Sequence, residues 1–235
     1  MFSDRFDLTD LVLEGIKTCT RRLEKEVQKT VPQDRKILQL DLFGYDEEPS
    51  KKYAEVKMYD PIIGEMWYKF KPHFDLDSEV AVAQAYNITR YQYQDEARIK
   101  YLDLIRKLMG ANYKDRMCWT NKMNILPALM PYRIYITNIR LEHLQDISDE
   151  DCIKEGIQID KNHGRYTTYY FHDNEKNTYF HYFTPKEAYA ALINAISGRG
   201  TWEKNPLVVV YDFKLMPHVP IMEIVKSIPD KLPTP

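Results

Sequence analysis

The residues best suited to chemistry in this sequence lie close together in GIKTCTRR, residues 15–22. Three cations beside a hydroxyl group, Lys17, Arg21 and Arg22 around Thr20, suit the binding of a phosphate or of a polarised carbonyl. The same residues also suit nucleophilic catalysis, because neighbouring cations and burial favour a neutral amine on Lys17 that can take the proton of Thr20. A third interpretation stays open, since positive charge after a helix also fits a solvated basic loop.

Both kinds of chemistry need a turn in the backbone just before these residues. Side chains three residues apart in an extended strand point to opposite faces, so Lys17 and Thr20 meet only if the chain turns between them. Gly15 favours such a turn, because glycine readily takes the left-handed conformation that ends a helix. The preceding FDLTDLVLEG predicts that helix, with Asp7 as its N-terminal cap. We therefore expect Lys17 and Thr20 to face a common cavity.

The remaining sequence predicts an α+β chain in which strands outnumber helices. We interpret residues 24–35 as a loop, and we expect EVAVAQAY, residues 79–86, to form a central strand. Because helices do not alternate regularly with strands, a parallel doubly wound sheet is disfavoured. We predict a small, mostly antiparallel β-barrel with helices packed at its rim. Other predicted strands are KILQLDLF, YAEVKMY, EMWYKFK, YRIYITNIRLEHL, NTYFHYF and NPLVVVYDFKL, and other predicted helices are QDEARIKYLDLIRKLMG, SDEDCIKEG and PKEAYAALINAISG.

Composition limits the protein class. The chain has 235 residues and a formal net charge of -2, so any contact with nucleic acid must come from a local basic patch. The three cysteines lack metal-ligand spacing and the six histidines are scattered, so we assign no metal and no cofactor. We find neither a signal sequence nor an apolar run long enough to span a bilayer. We expect a soluble, cytoplasmic protein without a membrane partner.

Gly15, Lys17, Thr20 and Arg22 match the G-x-K-x-x-T-x-R signature of the ASCH domain, a relative of the PUA-like barrels. Further blocks of the sequence resemble phage and prophage ASCH-like proteins in the same order. These blocks are MFSDRF...LVLEGIKTCTRRL, EVAVAQAY, MPYRIYITNIRLEHLQDISDEDCIKEGI and GTWEKNPLVVVYDFKL. The resemblance implies one PUA-like domain over residues 1–215 with insertions near 24–70 and 93–128. The segment after Leu215 contains five of the thirteen prolines, so its composition predicts an extended tail at 216–235.

The resemblance also implies a function. Members of the family are thought to act on RNA or nucleotides, and some bacterial members are amidohydrolases that remove an acyl group from modified cytidine. Those enzymes use a lysine, a threonine three residues later and a glutamate, and Lys17 and Thr20 match the first two. Gln84 in VAQA stands at the apparent glutamate position. Because glutamine does not exchange a proton at neutral pH, enzymatic activity stays an open question.

We therefore predict a protein that binds RNA or a modified nucleoside or nucleotide in a basic cleft, with Gly15, Lys17, Arg21 and Arg22 as ligand-binding residues. Trp119 and Lys122 are added to that set, because an indole beside a cation can line a base-stacking cleft, although a Trp that fixes a loop to the core is as plausible. The first alternative is an amidohydrolase with Thr20 as nucleophile, Lys17 as base and Gln84 orienting the substrate. The second is a phage interaction protein without ligand, in which the basic motif stabilises the barrel. The sequence predicts no oligomeric state.

Overall fold

The computed structural model describes residues 2–45, 52–161 and 166–227. Short 3₁₀ turns lie at Arg90–Gln92, Tyr113–Asp115, Pro127–Leu129 and Leu144–Asp146. The helices and strands, in chain order, are α1 (Leu8–Leu13), β1 (Cys19–Arg22), α2 (Lys25–Thr30), β2 (Lys36–Tyr45), β3 (Lys52–Asp60), β4 (Gly64–Phe70), β5 (Glu79–Ala81), α3 (Tyr86–Thr89), α4 (Asp95–Met109), α5 (Met117–Thr120), β6 (Arg133–His143), α6 (Asp149–Lys154), β7 (Gln158–Asp160), β8 (Thr168–Asp173), β9 (Thr178–Tyr182), α7 (Pro185–Ser197), α8 (Thr201–Lys204), β10 (Leu207–Leu215) and α9 (Ile221–Ser227).

The chain divides into two compact units. The first, which we call the sheet unit, comprises Ser3–Ser78 and Ile136–Lys214, and the second, the helical unit, comprises Met1–Phe2, Glu79–Tyr135 and Leu215–Pro235. The segment predicted as an insertion near 24–70 belongs to the sheet unit, and the one near 93–128 belongs to the helical unit. The single domain over residues 1–215 stays a prediction.

Antiparallel strands dominate the sheet unit. Strand β10 lies between β1 and β6, and β1 pairs antiparallel with β10 so that Thr20 stands opposite Tyr211. Strands β2, β3 and β4 form a second sheet, and β7, β8 and β9 a third. The mixed α+β class with antiparallel sheets is thus confirmed. The described strands form these separate sheets and no closed barrel.

Several predicted elements are confirmed. The predicted strands YAEVKMY and EMWYKFK form β3 and β4, which pair as a hairpin with its turn between Asp60 and Gly64. The predicted helix α4 is followed by Gly110, whose φ of 85° is left-handed. Helix α6 is capped by Ser148, whose hydroxyl accepts a hydrogen bond from the backbone N–H of Asp151 at 3.0 Å. Helix α7 starts at Pro185, and β10 is buried along most of its length.

Two predictions about the first 35 residues are wrong. Asp7 precedes α1 but its side chain makes no capping hydrogen bond, because its backbone is left-handed with a φ of 54° and its carboxylate accepts hydrogen bonds from His172 and Asn174 instead. Residues 24–35 are not a loop throughout, since α2 forms there. Its one fully buried side chain, Val27, provides tertiary packing that the polar composition does not reveal.

In the helical unit, α4 and its neighbours enclose a core rich in aromatic rings, including Tyr86, Tyr101 and Trp119. Strand β5 pairs with the first residues of β6 and stands at the end of the strand order, so the central strand predicted for EVAVAQAY is wrong. The extended tail predicted for 216–235 is wrong at α9, because Ile221 and Ile224 bury one helical face in this core. Residues 228–235 lie outside the described part.

Candidate functional site

Gly15 ends α1 as the sequence predicts. Its φ is 73°, and its N–H donates to the carbonyl of Val12 at 3.0 Å. The next two N–H groups, of Ile16 and Lys17, both donate to the carbonyl of Leu11 at 2.9 Å. The chain therefore turns sharply before the basic residues, and Lys17 enters the interior of the sheet unit.

All three N–H donors of the Lys17 ammonium make hydrogen bonds to protein groups. The residue is 2% exposed. Its Nζ donates to the carbonyl of Cys19 at 2.7 Å, to the carbonyl of Glu155 at 2.7 Å and to Glu155 Oε2 at 2.6 Å. A lysine with three short hydrogen bonds, one of them to a carboxylate, is held as an ammonium and serves as an internal cross-link, not as a base.

Arg21 is buried beside the same glutamate. Its Nη1 lies 3.4 Å from Glu155 Oε1, and its Nη2 donates to Glu142 Oε1 at 2.6 Å and to Asp151 Oδ2 at 2.8 Å. Burial opposes the charge of Arg21, but Glu155 and Glu142 more than offset that effect, so the pKa of Arg21 is raised. Asp151 is likewise opposed by burial, yet its hydrogen bonds from Arg21, Arg140 and Lys154 lower its pKa to about 2.

These contacts belong to a larger set of paired charges, which we call the ion network. Arg140 extends it, with contacts to Glu142 at 3.2 Å, to Asp151 at 3.0 Å and to Asp212 at 3.3 Å. Opposite charges are equal in number, because the cations are Lys17, Arg21, Arg140 and Lys154 and the carboxylates are Glu142, Asp151, Glu155 and Asp212. The network joins β1, β6 and β10 to the helix α6 and the residue that follows it. Lys17 and Arg21 are therefore neutralised inside the protein and are not free to bind an anion.

Thr20 and Arg22 belong to the other face of β1. The burial of the strand alternates, with Cys19 and Arg21 buried and Thr20 and Arg22 half-buried. Since neighbouring strand residues point to opposite faces, Thr20 points away from the face on which Arg21 and Lys17 meet Glu155. The predicted convergence of Lys17 and Thr20 is wrong, because the turn at Gly15 comes before Lys17 and the chain is already extended at Cys19.

The Thr20 face of β1 carries a second cluster, which we call the Arg22 site. The Arg22 guanidinium lies over the ring of Phe74, 5.3 Å from its centroid, and that ring meets Tyr211 edge to face at 5.2 Å. Tyr211 is the cross-strand neighbour of Thr20. Within the described ranges, Arg22 has no carboxylate at ion-pairing distance and the Thr20 hydroxyl makes no hydrogen bond. Neither group is therefore used in an ion pair or hydrogen bond within the described ranges, although the charge of Arg22 acts on the nearby carboxylate of Glu24.

Two titratable groups border the Arg22 site. Glu24 is 9% exposed and accepts hydrogen bonds from the hydroxyl of Tyr211 and from the backbone N–H of His73 at 3.2 Å. Burial raises the pKa of Glu24, although those hydrogen bonds oppose the shift. Desolvation and the charge of Arg22 lower the pKa of His73, so its imidazole is neutral at pH 7.

A depression open to solvent adjoins Phe74. It is shallow, with an enclosed volume of about 20 Å³. Its walls are mostly apolar, formed by Leu42, Tyr53, Pro72, Phe74, Asp75, Leu76 and Ile139. A space of this size holds about one water molecule, so a ring would lie against these apolar walls and would not enter between them.

The other predicted site residues lie in the helical unit. Gln84 is 3% exposed, and among the described residues its Oε1 accepts no hydrogen bond. Trp119 is packed in the core, edge to face with Tyr113 at 5.2 Å. Lys122 donates from Nζ to the carbonyl of Phe2 at 3.1 Å. Of the two roles that the sequence leaves open for Trp119, a base-stacking residue or a residue that fixes a loop to the core, its packing fits the second.

The sequence did not reveal the residues that contact the side chains of the motif. Glu155 is 138 positions from Lys17, and no periodicity connects the two. His73 and Phe74 follow β4 in a segment without a recognisable pattern. The local signal that existed was the two-residue period of CTRR, which separates Thr20 and Arg22 from Cys19 and Arg21.

No family model, curated protein or solved structure matches this chain. No helix among the described residues has the length and apolar character needed to cross a bilayer. Within the same ranges, His, Cys, Asp and Glu side chains form no cluster of three that would hold a metal ion.

Proposed function

We propose that this protein binds RNA or a nucleotide at the Arg22 site. The observation that carries the proposal is the guanidinium of Arg22, unpaired among the described residues and stacked on Phe74 beside an apolar depression. An arginine on an aromatic ring offers both a phosphate contact and a planar surface next to which a base can stack. The phosphate is assigned to Arg22, and the base is assigned to the apolar surface around Phe74.

The composition of the site favours an anionic ligand. Lys17 and Arg21 meet carboxylates in the ion network, so of the motif cations Arg22 is the one left for a phosphate oxygen. The hydroxyl of Thr20 adds a neutral donor on the same face. His73 is neutral at pH 7, so it offers a hydrogen bond without a second charge. The relationship to PUA-like ASCH proteins is part of this proposal, supported by the motif directly after α1 and by the antiparallel sheets.

The amidohydrolase hypothesis has less support. It needs Lys17 to accept the proton of Thr20, whereas the alternation of β1 directs Thr20 away from the ion network and Glu155 holds the Lys17 ammonium. Incubation with N4-acetylcytidine and detection of acetate tests it. The hypothesis would return if turnover exceeded that of a Thr20→Ala control.

Binding of single-stranded RNA and of nucleoside monophosphates tests the main proposal. We expect Arg22→Gln to weaken binding by roughly 10-fold or more, the effect of losing a charge-assisted hydrogen bond. The salt dependence of RNA binding should also lose about one unit of slope. Lys25→Gln, which removes an exposed cation from neighbouring α2, is the matched control and should bind as the wild type does. Equal effects of the two variants would contradict the proposal.

A further inference from the structure

Strand β9 is an unprotected edge of the β7–β8–β9 sheet. It follows β8 at the end of the strand order, and its register with β8 is continuous from Thr178 to Tyr182. In the described part of the chain, the backbone groups of these residues bond to no strand other than β8. Its sequence, TYFHY, contains no Lys, Asp, Glu or Pro. Edge strands are normally protected by such residues, by bulges or by a covering element.

The outer surface of β9 is aromatic. Tyr179 is 58% exposed and Phe183, just after the strand, is 75% exposed. The other edge of the sheet differs, because β7 is only three residues long and ends in the charged Asp160. An exposed aromatic edge without protecting charges or proline is a template for pairing with another strand.

The aromatic rings of β9 show which side chains pair across neighbouring strands of this sheet. Across the β8–β9 pair, His181 stacks on Tyr170 with centroids 5.1 Å apart and planes at 27°. Tyr179 stacks on His172 with centroids 4.4 Å apart and planes at 21°. Tyr–His pairing across neighbouring strands is therefore the side-chain rule of this face of the sheet.

We propose that β9 pairs antiparallel with β9 of a second copy of this chain, about a two-fold axis at Phe180. In this register Tyr179 of each copy stands opposite His181 of the other, so the Tyr–His rule is repeated twice across the interface. Thr178 stands opposite Tyr182 on the other face of the sheet. The strand is thus complementary to itself, and because it contains no Lys, Arg, Asp or Glu, none of these charges meets its like across the two-fold axis.

The choice of a second copy follows from these properties. An RNA strand would need cations, and TYFHY has none. A five-residue edge buries less than the roughly 1,600 Å² of a standard interface, so we expect a dimer with a dissociation constant on the order of 10 μM. The inference shares no residue with the Arg22 site and does not depend on RNA binding.

Two double variants of the full chain test the register. Tyr179→Lys with His181→Lys places like charges opposite each other at both cross-copy pairs, whereas Tyr179→Lys with His181→Glu places opposite charges there. Both remove the same ring contacts within one copy, so each is a control for the other. By sedimentation velocity at roughly 100 μM, about ten times the expected dissociation constant, we expect a dimer for the wild type, a monomer for the Lys/Lys variant and a restored dimer for the Lys/Glu variant.

A wild-type chain that stays monomeric at that concentration would overturn the proposal, as would a dimer that survives in the Lys/Lys variant. If the variants fail to fold, hydrogen exchange of the wild type decides. The amides of residues 178–182 should be better protected at high than at low protein concentration. Protection that does not change with concentration would also refute the pairing.

Discussion

Removal of the Lys17 charge should destabilise the protein strongly. Lys17 is 2% exposed, and its ammonium donates hydrogen bonds of 2.6–2.7 Å to one carboxylate and two carbonyls. Breaking a buried ion pair from one side costs about 3–5 kcal/mol, because the other charge stays buried. Arg21 still reaches Glu155 at 3.4 Å in a Lys17→Met variant, so we expect the lower end of that range, about 3 kcal/mol.

The second half of this experiment is a double-mutant cycle in urea. If the cost comes from an unpaired Glu155, then Glu155→Gln in the Lys17→Met background should recover about 2 kcal/mol relative to the sum of the single variants. Lys176→Met is the control, because Lys176 is 61% exposed and 4.0 Å from Asp173, and it should cost less than about 0.5 kcal/mol. A cost below about 1 kcal/mol for Lys17→Met, or strictly additive variants, would refute the structural role of Lys17.

Three further predictions concern individual residues. The pKa of Asp151 is lowered to about 2, so its contribution to stability is present above its ordinary pKa near 4 and is lost as the pH falls toward 2. In acid denaturation, the difference in unfolding free energy between wild type and Asp151→Asn should therefore shrink between pH 4 and pH 2, and a constant difference would contradict the lowered pKa. Since the charge of Arg22 helps to lower the pKa of His73, Arg22→Gln should raise that pKa in an NMR titration, and an unchanged value would separate the two groups. Gly156→Ala should destabilise the protein by about 2–3 kcal/mol, because the new Cβ would lie 3.1 Å from Leu11 Cδ1 and the backbone φ is 107°. Gly15→Ala, with open space around its Cβ, should cost only about 1 kcal/mol of backbone strain, and equal losses of the two variants in thermal unfolding would show that crowding at Gly156 is unimportant.

The fold was predictable where the signal was local. Ser148 and Pro185 each mark a helix start through backbone chemistry within one turn, and both helices are confirmed. Gly15 marks the end of α1 for the same reason. Predictions failed where packing decides the outcome. Val27 turns a polar segment into a helix by burying one side chain, and Ile224 does the same in a proline-rich segment.

The motif shows why its residue types were informative and its geometry was not. Lys17, Thr20, Arg21 and Arg22 are adjacent in sequence, which suggested one site. Strand alternation divides them, and the partner that holds Lys17 comes from beyond α6. Glu155 lies 138 positions from Lys17, so the sequence around Lys17 contains no sign of this partner. A buried, ion-paired lysine and a ligand-binding lysine therefore look the same in the local sequence. The proposed relationship to ASCH proteins rests on the same residue types and not on the directions of their side chains.

The central claim is that Lys17 and Arg21 are ion-paired inside the protein, whereas Arg22 is available to a ligand. RNA affinities of folded variants test this claim most directly. Binding of a short single-stranded RNA is measured for wild type, Arg22→Gln and Lys17→Met under conditions where circular dichroism shows each to be folded. We predict that Arg22→Gln loses roughly 10-fold or more in affinity and that Lys17→Met binds within about 2-fold of wild type. The reverse order, with Lys17→Met impaired and Arg22→Gln unaffected, would contradict the assignment of Lys17 to the interior and of Arg22 to the ligand.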